Sequence, residues 1–205
     1  MDATNAVFYI AILIMSVVIH EVSHGFMAER FGDKTARMAG RLTLNPLKHL
    51  DLFGSIILPA LLYFSSGFVF GWAKPVPYNP NNLSNRKWGT IAVASAGVLA
   101  NLCLAVLFGI ILRLTINANV PSGFFFIISS IVVVNLALAV FNLVPIPPLD
   151  GSAILFNILP RSMRALVELL ERYSIIFFIV FIVFFSNYLF PVLAFLYHIV
   201  TGLSL

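Results

Sequence analysis

The sequence predicts an all-α polytopic membrane protein: a three-span core, a re-entrant or loop/β segment between the first and second core spans, and further helices toward the C-terminus. Three observations carry this reading. Of the 205 residues, 60% are hydrophobic and only 10% charged, whereas soluble domains carry about 25% charged residues. Mean hydropathy is +1.02. Apolar stretches run from Val7 to Met27, Leu52 to Phe70, Ile91 to Leu112, Phe124 to Val144 and Ser174 to Val200, and a bilayer core takes about 20 apolar residues to cross. Residues 1–205 read as a single membrane-embedded domain, with a core over about 7–160 and a C-terminal helical segment over about 161–205.

The first stretch has no Lys or Arg before it and ends in His-Glu, so it does not read as a cleaved signal peptide. The second carries Pro59 and then Ser65-Ser66-Gly67, which favours a segment that dips into the membrane without crossing. Charge tests that choice, because Lys and Arg collect on the cytoplasmic side. If the second stretch crosses, the basic residues divide 6 against 6; if it does not, they divide 11 against 1, with Arg113 alone outside. The second topology is preferred. It puts the N-terminus outside and Arg30 to Lys87 in the cytoplasm, at the cell membrane. The net charge of +4 then reflects topology, and no nucleic-acid partner is implied. Cys103 is the one cysteine and has no intrachain disulfide partner. Arg161, Arg164 and Arg172, interleaved with Glu168 and Glu171, read as a surface helix on the cytoplasmic face. The last stretch contains Asn187 and Pro191, so it fits one kinked span or two partial ones, and the side of the C-terminus stays open.

Inside the first stretch stands His20-Glu21-Val22-Ser23-His24. Ionisable groups are costly at membrane depth and are usually functional there. On a helix, residues i and i+4 share a face, so His20 and His24 can offer ring nitrogens to one ion. Glu21 lies about 100° further round, where it flanks the ion. This is the H-E-x-x-H arrangement in which two histidines bind zinc and the glutamate acts as general base. A catalytic zinc takes three protein ligands and keeps one position open. Asp33, His49, Asp51, Asp150 and His198 are the candidates for the third. Asp150 stands out because it follows a span directly, in Asn142-Leu143-Val144-Pro145-Ile146-Pro147-Pro148-Leu149-Asp150-Gly151. Its prolines break the helix, and broken backbone at membrane depth lines protein or a wet cavity. His49, among cytoplasmic charges, reads as an interface or solvent residue, and His198 as a headgroup-level one.

The paired motifs resemble those of the site-2 protease family of intramembrane zinc metalloproteases, in its prokaryotic branch and in a minimal form without a PDZ domain. That family joins H-E-x-x-H in one span to N-x-x-P-x-P-x-L-D-G at the end of another, matched here at Asn142, Pro145, Pro147, Leu149, Asp150 and Gly151. Asn45-Pro46-Leu47-Lys48-His49-Leu50-Asp51 and Gly71-Trp72-Ala73-Lys74-Pro75-Val76-Pro77 are similar to segments between the family's first and second core spans. Ser95-Ala96-Gly97-Val98-Leu99-Ala100-Asn101 resembles its Ala-Gly-Pro-x-x-Asn, with Val98 where proline is usual.

The resemblance implies one Zn2+ per chain, held by His20, His24 and Asp150, with Glu21 as catalytic acid/base. The implied activity is hydrolysis of peptide bonds within or near transmembrane segments, in regulated proteolysis or clearance of membrane remnants. Asn142 is a candidate donor to substrate or intermediate. Gly71 and Lys74 are candidate substrate contacts in the Gly67 to Tyr78 segment, which reads as an edge or gate for an unwound substrate. Trp72 and Trp88 suit interface anchors. The implied partners are transmembrane protein substrates, the lipid bilayer and a regulatory membrane protein. A metal transporter would place its site on the same residues, but a transporter also calls for paired repeats or a second intramembrane ion site, and neither is read here.

Overall fold

The computed structural model describes residues 3–57, 61, 71–116, 118 and 120–205. Its helices are α1 (Ala3–Arg30), α2 (Thr35–Met38), α3 (Arg86–Thr115), α4 (Ser122–Asn142), α5 (Asp150–Ile158), α6 (Arg164–Arg172), α7 (Ser174–Val180) and α8 (Leu189–Thr201). Four helical stretches are long and apolar enough to cross a membrane: α1, α3, α4 and the run Ser174–Thr201 that joins α7 to α8. The protein is an all-α, multi-pass membrane protein, and no strand occurs among the described residues.

Local chemistry sets the helix ends. α1 stops where Gly32 takes φ 102°, a left-handed conformation that glycine adopts at little cost, with its N–H on the Glu29 carbonyl at 2.9 Å. The Asn85 side chain caps α3 by accepting the Trp88 N–H at 3.0 Å. α4 ends at Asn142, three residues before Pro145 starts the turn into α5.

α3 is the central helix, packed against α1, α4, α5 and α8. Small residues allow the close approaches. A Cβ at Gly109 would lie 2.1 Å from Val200 Cγ1, so α8 rests on bare backbone there. Around that crossing Ala105, Leu112, Ile128, Val132, Leu136 and Tyr197 form one buried cluster. Between α1, α3 and α4 runs a polar layer of Ser16, Asn101 and Asn135, all buried. Many large apolar side chains point outward, among them Ile175, Phe184, Phe190 and Phe195 on the last stretch, as a helix facing lipid tails requires.

The last stretch runs once along α4 and is long and apolar enough for one crossing. Phe141, at the end of α4, stacks on Phe178 at 6.2 Å and Phe181 at 6.1 Å. Near the other end of α4, Ser129 Oγ meets the Tyr197 hydroxyl at 2.9 Å. The run is therefore antiparallel to α4 from Phe141 to Ser129, bent by a π turn at Phe181–Phe185 and a 3-10 turn at Ser186–Tyr188. The C-terminus emerges beside Arg113, whose guanidinium lies at the α8 cap formed by Gly202 at φ 79°. A cation there complements the helix dipole.

The expected re-entrant course of residues 52–70 lies largely outside the described residues; Leu52–Ile57 is a π-helical turn. Residues 71–79 run as an extended strap without ladder pairing among the described residues. The strap is tied down at several points: Lys74 N–H to the His49 carbonyl at 2.8 Å, Arg41 Nη2 to the Lys74 carbonyl at 2.7 Å, and Asn79 N–H to Asp33 Oδ2 at 2.6 Å.

Asp33 is fully buried. Its Oδ1 also accepts from the Thr35 hydroxyl, the Thr35 N–H at 3.1 Å and Asn82 Nδ2 at 2.9 Å. Burial pushes this carboxyl up, but the hydrogen bonds from Thr35, Asn82 and Asn79 outweigh it and hold the carboxyl below its ordinary value. A depressed pKa gives stability that is present above the unfolded value of about 4 and lost as pH falls through the folded one. Proteolysis of the strap should therefore rise as the pH is lowered below about 4. Asp33→Ala should already be opened at neutral pH, by roughly tenfold or more, given the 1–3 kcal/mol cost of unmade buried hydrogen bonds. A strap equally resistant in both proteins at every pH would refute this.

Candidate metal centre

His20 and His24 face the same way from α1, one turn apart, with ring centroids 4.6 Å apart and planes at 90°. The turn of residues 143–149 brings Asp150, the first residue of α5, up to them. Asp150 Oδ2 lies 3.1 Å from His20 Nε2 and 3.4 Å from His24 Nε2. Gly151 makes this turn possible: a Cβ there would lie 2.2 Å from the Leu143 carbonyl oxygen.

The other ring nitrogens fix the tautomers. His24 Nδ1 sits 2.7 Å from the Val93 carbonyl, which only accepts, so Nδ1 carries the hydrogen. For His20 the assignment runs through the polar layer. Asn135 Nδ2 donates to the Ile131 carbonyl at 2.9 Å, so Asn135 Oδ1 is the atom that accepts Asn101 Nδ2 at 2.8 Å. Asn101 must then turn Oδ1 to His20 Nδ1, 2.6 Å away, and that nitrogen too carries a hydrogen. In the neutral form, in which histidine binds a metal, both imidazoles would present a bare lone pair at Nε2 toward the carboxylate.

Among the described residues, Asp150 Oδ2 is buried without a hydrogen-bond partner. Three potential metal-ligating atoms converge, which is the donor set a cation satisfies. Tetrahedral zinc with ligands at about 2.0–2.2 Å needs ligand–ligand edges of about 3.3 Å, and the two Nε2 to Oδ2 separations are of that size. The residues present fit zinc. Asn101 and the Val93 carbonyl supply the outer hydrogen bonds that metal-binding histidines take.

Gly97 is part of the seat. A Cβ there would lie 2.6–2.7 Å from three atoms of the His20 ring, so α3 leaves the space that the imidazole fills. Glu21 is also near: its carboxylate and the two imidazoles offer ligand atoms all within 4.8 Å of one another. Glu21 Oε2, however, accepts the Val76 N–H at 2.8 Å. Val76 reaches it because a groove at Gly25 holds its side chain, 2.8 Å from where a Cβ would stand. Glu21 is thereby held beside the ion's position from the strap side.

Residues 8–132 and 109–186 match the model of peptidase family M50. The chain belongs to peptidase family M50. This is the site-2 protease family of zinc metalloproteases, and zinc is its cofactor. Among relatives, "Putative zinc metalloprotease YwhC" of Bacillus subtilis (strain 168) is 38% identical over 175 residues, covering 82% of this chain and 76% of that protein. Two mycobacterial proteins, each named "Putative zinc metalloprotease Rip2", are 36% identical in Mycolicibacterium smegmatis and 32% in Mycobacterium tuberculosis strain H37Rv. They cover 75% and 85% of this chain, which spans 58% and 66% of their lengths. No solved structure matches the chain.

As an M50 chain, it brings together the four polar residues that the paired motifs single out: His20, Glu21, His24 and Asp150. The other residues weighed as third ligand are used elsewhere. Asp33 ties loops together, Asp51 Oδ1 accepts the Gly54 N–H at 2.6 Å, and the exposed His198 sits by the Leu203 carbonyl at 3.2 Å. His49, read from its charged neighbours as an interface residue, is instead buried, 1% exposed, with Nε2 on the Thr43 carbonyl at 2.9 Å. Asn142 Nδ2 donates to the Leu138 carbonyl at 2.9 Å. Gly71 and Lys74 lie exposed on the strap.

Sequence reasoning gave no role to the Val76 N–H, the Val93 carbonyl or Asn135. Asparagines inside apolar spans are the one signal that pointed to this layer. The half-buried Tyr78 packs on Ala28, Leu83 and Val93. Burial pushes its phenol up, and the negative charge of Asp150 adds to that. Two cavities, of about 390 and 300 Å³, are apolar clefts against α4 that include none of the metal-centre residues.

Proposed function

We propose that this M50 protease hydrolyses peptide bonds within or near transmembrane segments of membrane proteins, at the cell membrane, with its active site toward the cytoplasmic side. The observation that carries the reading is the convergence of His20 Nε2, His24 Nε2 and Asp150 Oδ2 at the end of membrane helices. The Lys- and Arg-rich connections lie at that same end. His20, His24 and Asp150 hold the zinc. When bound, the metal supplies Lewis-acid chemistry that acidifies water and polarises a carbonyl.

The chain's own residues do the rest. Glu21, fixed through Oε2 by Val76, offers its other oxygen as the base that takes a proton from the attacking water and returns it to the leaving amine. Asn101, through His20, and the Val93 carbonyl, through His24, keep both imidazoles in the metal-binding tautomer. The exposed strap at Gly71 and Lys74 pairs with a locally unwound substrate, and Asn142 offers its remaining amide hydrogen to it. Residues 7–160 form the catalytic core and 161–205 a C-terminal helical segment of one membrane-embedded domain. Its substrates are transmembrane proteins or their remnants, with access gated by a regulatory membrane partner.

The test is cleavage of a panel of single-span substrates in liposomes. Cleavage that stops when zinc is chelated and returns with added zinc supports the proposal. Zinc uptake into the vesicles without any cleavage overturns it in favour of transport.

A further inference from the structure

A metal-binding histidine almost always donates its other ring N–H to a fixed acceptor, which leaves the opposite nitrogen bare for the ion. For His20 that acceptor is Asn101 Oδ1, 2.6 Å from Nδ1. An asparagine amide, however, carries an oxygen on one side and an NH2 of nearly the same size on the other. Turned over, Asn101 would offer a hydrogen to Nδ1 and favour the tautomer whose hydrogen sits on Nε2, where the metal binds. Something must hold the amide one way round.

The lock lies on α4. Asn135 is fully buried, and its Nδ2 donates to the Ile131 carbonyl at 2.9 Å and to Ser16 Oγ at 3.0 Å. A backbone carbonyl only accepts, so Asn135 cannot turn over without setting two oxygens face to face. Its Oδ1 is thereby aimed at Asn101, which is also fully buried and donates Nδ2 to it at 2.8 Å. The Ser16 carbonyl accepts the same Nδ2 over a longer 3.4 Å. Orientation thus passes from a backbone carbonyl on α4, through Asn101 on α3, to the His20 ring on α1. The end of α4 also turns into Asp150, so this one helix acts on two of the three ligands.

We propose that Asn135 is a positioning residue of the metal centre, which touches neither metal nor substrate and fixes His20 by fixing the Asn101 amide. This inference rests on the reading of His20 as a zinc ligand. It makes Asn135 matter to the metal only while residue 101 has one donating and one accepting side. An aspartate at 101 accepts on both sides and would hold the His20 Nδ1–H whichever way it faced, as in carboxylate–histidine–zinc triads. Asn135 would then be dispensable for zinc.

The experiment measures the zinc affinity of the full chain in detergent, by competition with a chromophoric chelator, with helix content showing which proteins fold. It compares wild type, Asn135→Ala, Asn135→Ala combined with Asn101→Asp, and His20→Ala as the reference that lacks a ligand. Asn135→Ala should bind zinc about 10–100-fold more weakly, the cost of a lost outer partner, and the double variant should regain most of that affinity. A merely structural role gives no such regain, because Asn101→Asp restores none of the packing lost at position 135. Unchanged affinity in Asn135→Ala would overturn the proposal, and so would a loss that the double variant shares in full. If Asn135→Ala does not fold, the double variant decides: folded and binding zinc it supports the proposal, and unfolded like the single variant it overturns it. Affinity in His20→Ala equal to wild type would overturn the ligand set and this inference together, whereas loss in His20→Ala without loss in Asn135→Ala overturns this inference alone.

Discussion

Gly97→Ala is expected to empty the metal centre. The new Cβ would stand 2.6 Å from His20 Cε1 and 2.7 Å from both ring nitrogens, far inside van der Waals contact. The ring has nowhere to retreat: it is 6% exposed, and its Nδ1 is fixed on Asn101 at 2.6 Å. Either the imidazole swings away from Asp150 or α3 moves off α1, and each breaks the ligand set. Losing an outer-shell partner alone costs about 10–100-fold in metal affinity, so displacing the ligand should cost at least about 100-fold in zinc affinity and activity. Leu99→Ala, two residues along on a lipid-facing surface, 55% exposed, is the matched control and should stay within about 0.5 kcal/mol of wild type in stability. Zinc per chain after purification, alongside helix content, checks the result. Full zinc occupancy in Gly97→Ala would show that His20 is not held as described.

Glu21→Gln should cost about 1,000-fold or more in kcat while keeping the zinc. Glutamine has the same shape, and its Oε1 can still accept the Val76 N–H, so the strap keeps its place. Only the base is lost, and general base catalysis is worth about 10²–10⁴. Zinc retention discriminates between two arrangements, because Glu21 lies close enough to His20 and His24 to be a ligand itself. Its Oε2 is already engaged by Val76, whereas Asp150 Oδ2 has no hydrogen-bond partner among the described residues, which favours Asp150 as the third ligand. Zinc kept in Asp150→Ala but lost in Glu21→Gln would exchange the two roles.

The sequence alone determined the fold class and the paired histidines. Composition excludes a soluble domain, and a four-residue spacing on a helix has one geometric meaning, since both residues belong to the same rigid turn. The helix break before Asp150 was legible for a similar reason: prolines constrain their own backbone wherever they stand. What the tertiary structure decided are matters between elements. The last stretch runs once along α4 because Phe141 and Ser129 meet opposite parts of it, whereas Asn187 and Pro191 by themselves fit one kinked span or two partial ones. Asn101 meets His20 across a separation of 81 residues, Val93 meets His24 across 69, and Val76 meets Glu21 across 55. Each contact depends on how closely two helices, or a helix and the strap, approach, and glycines at 97, 25 and 151 set those approaches by lacking a Cβ. Local periodicity reports which face of a helix is polar; only packing decides what that face meets.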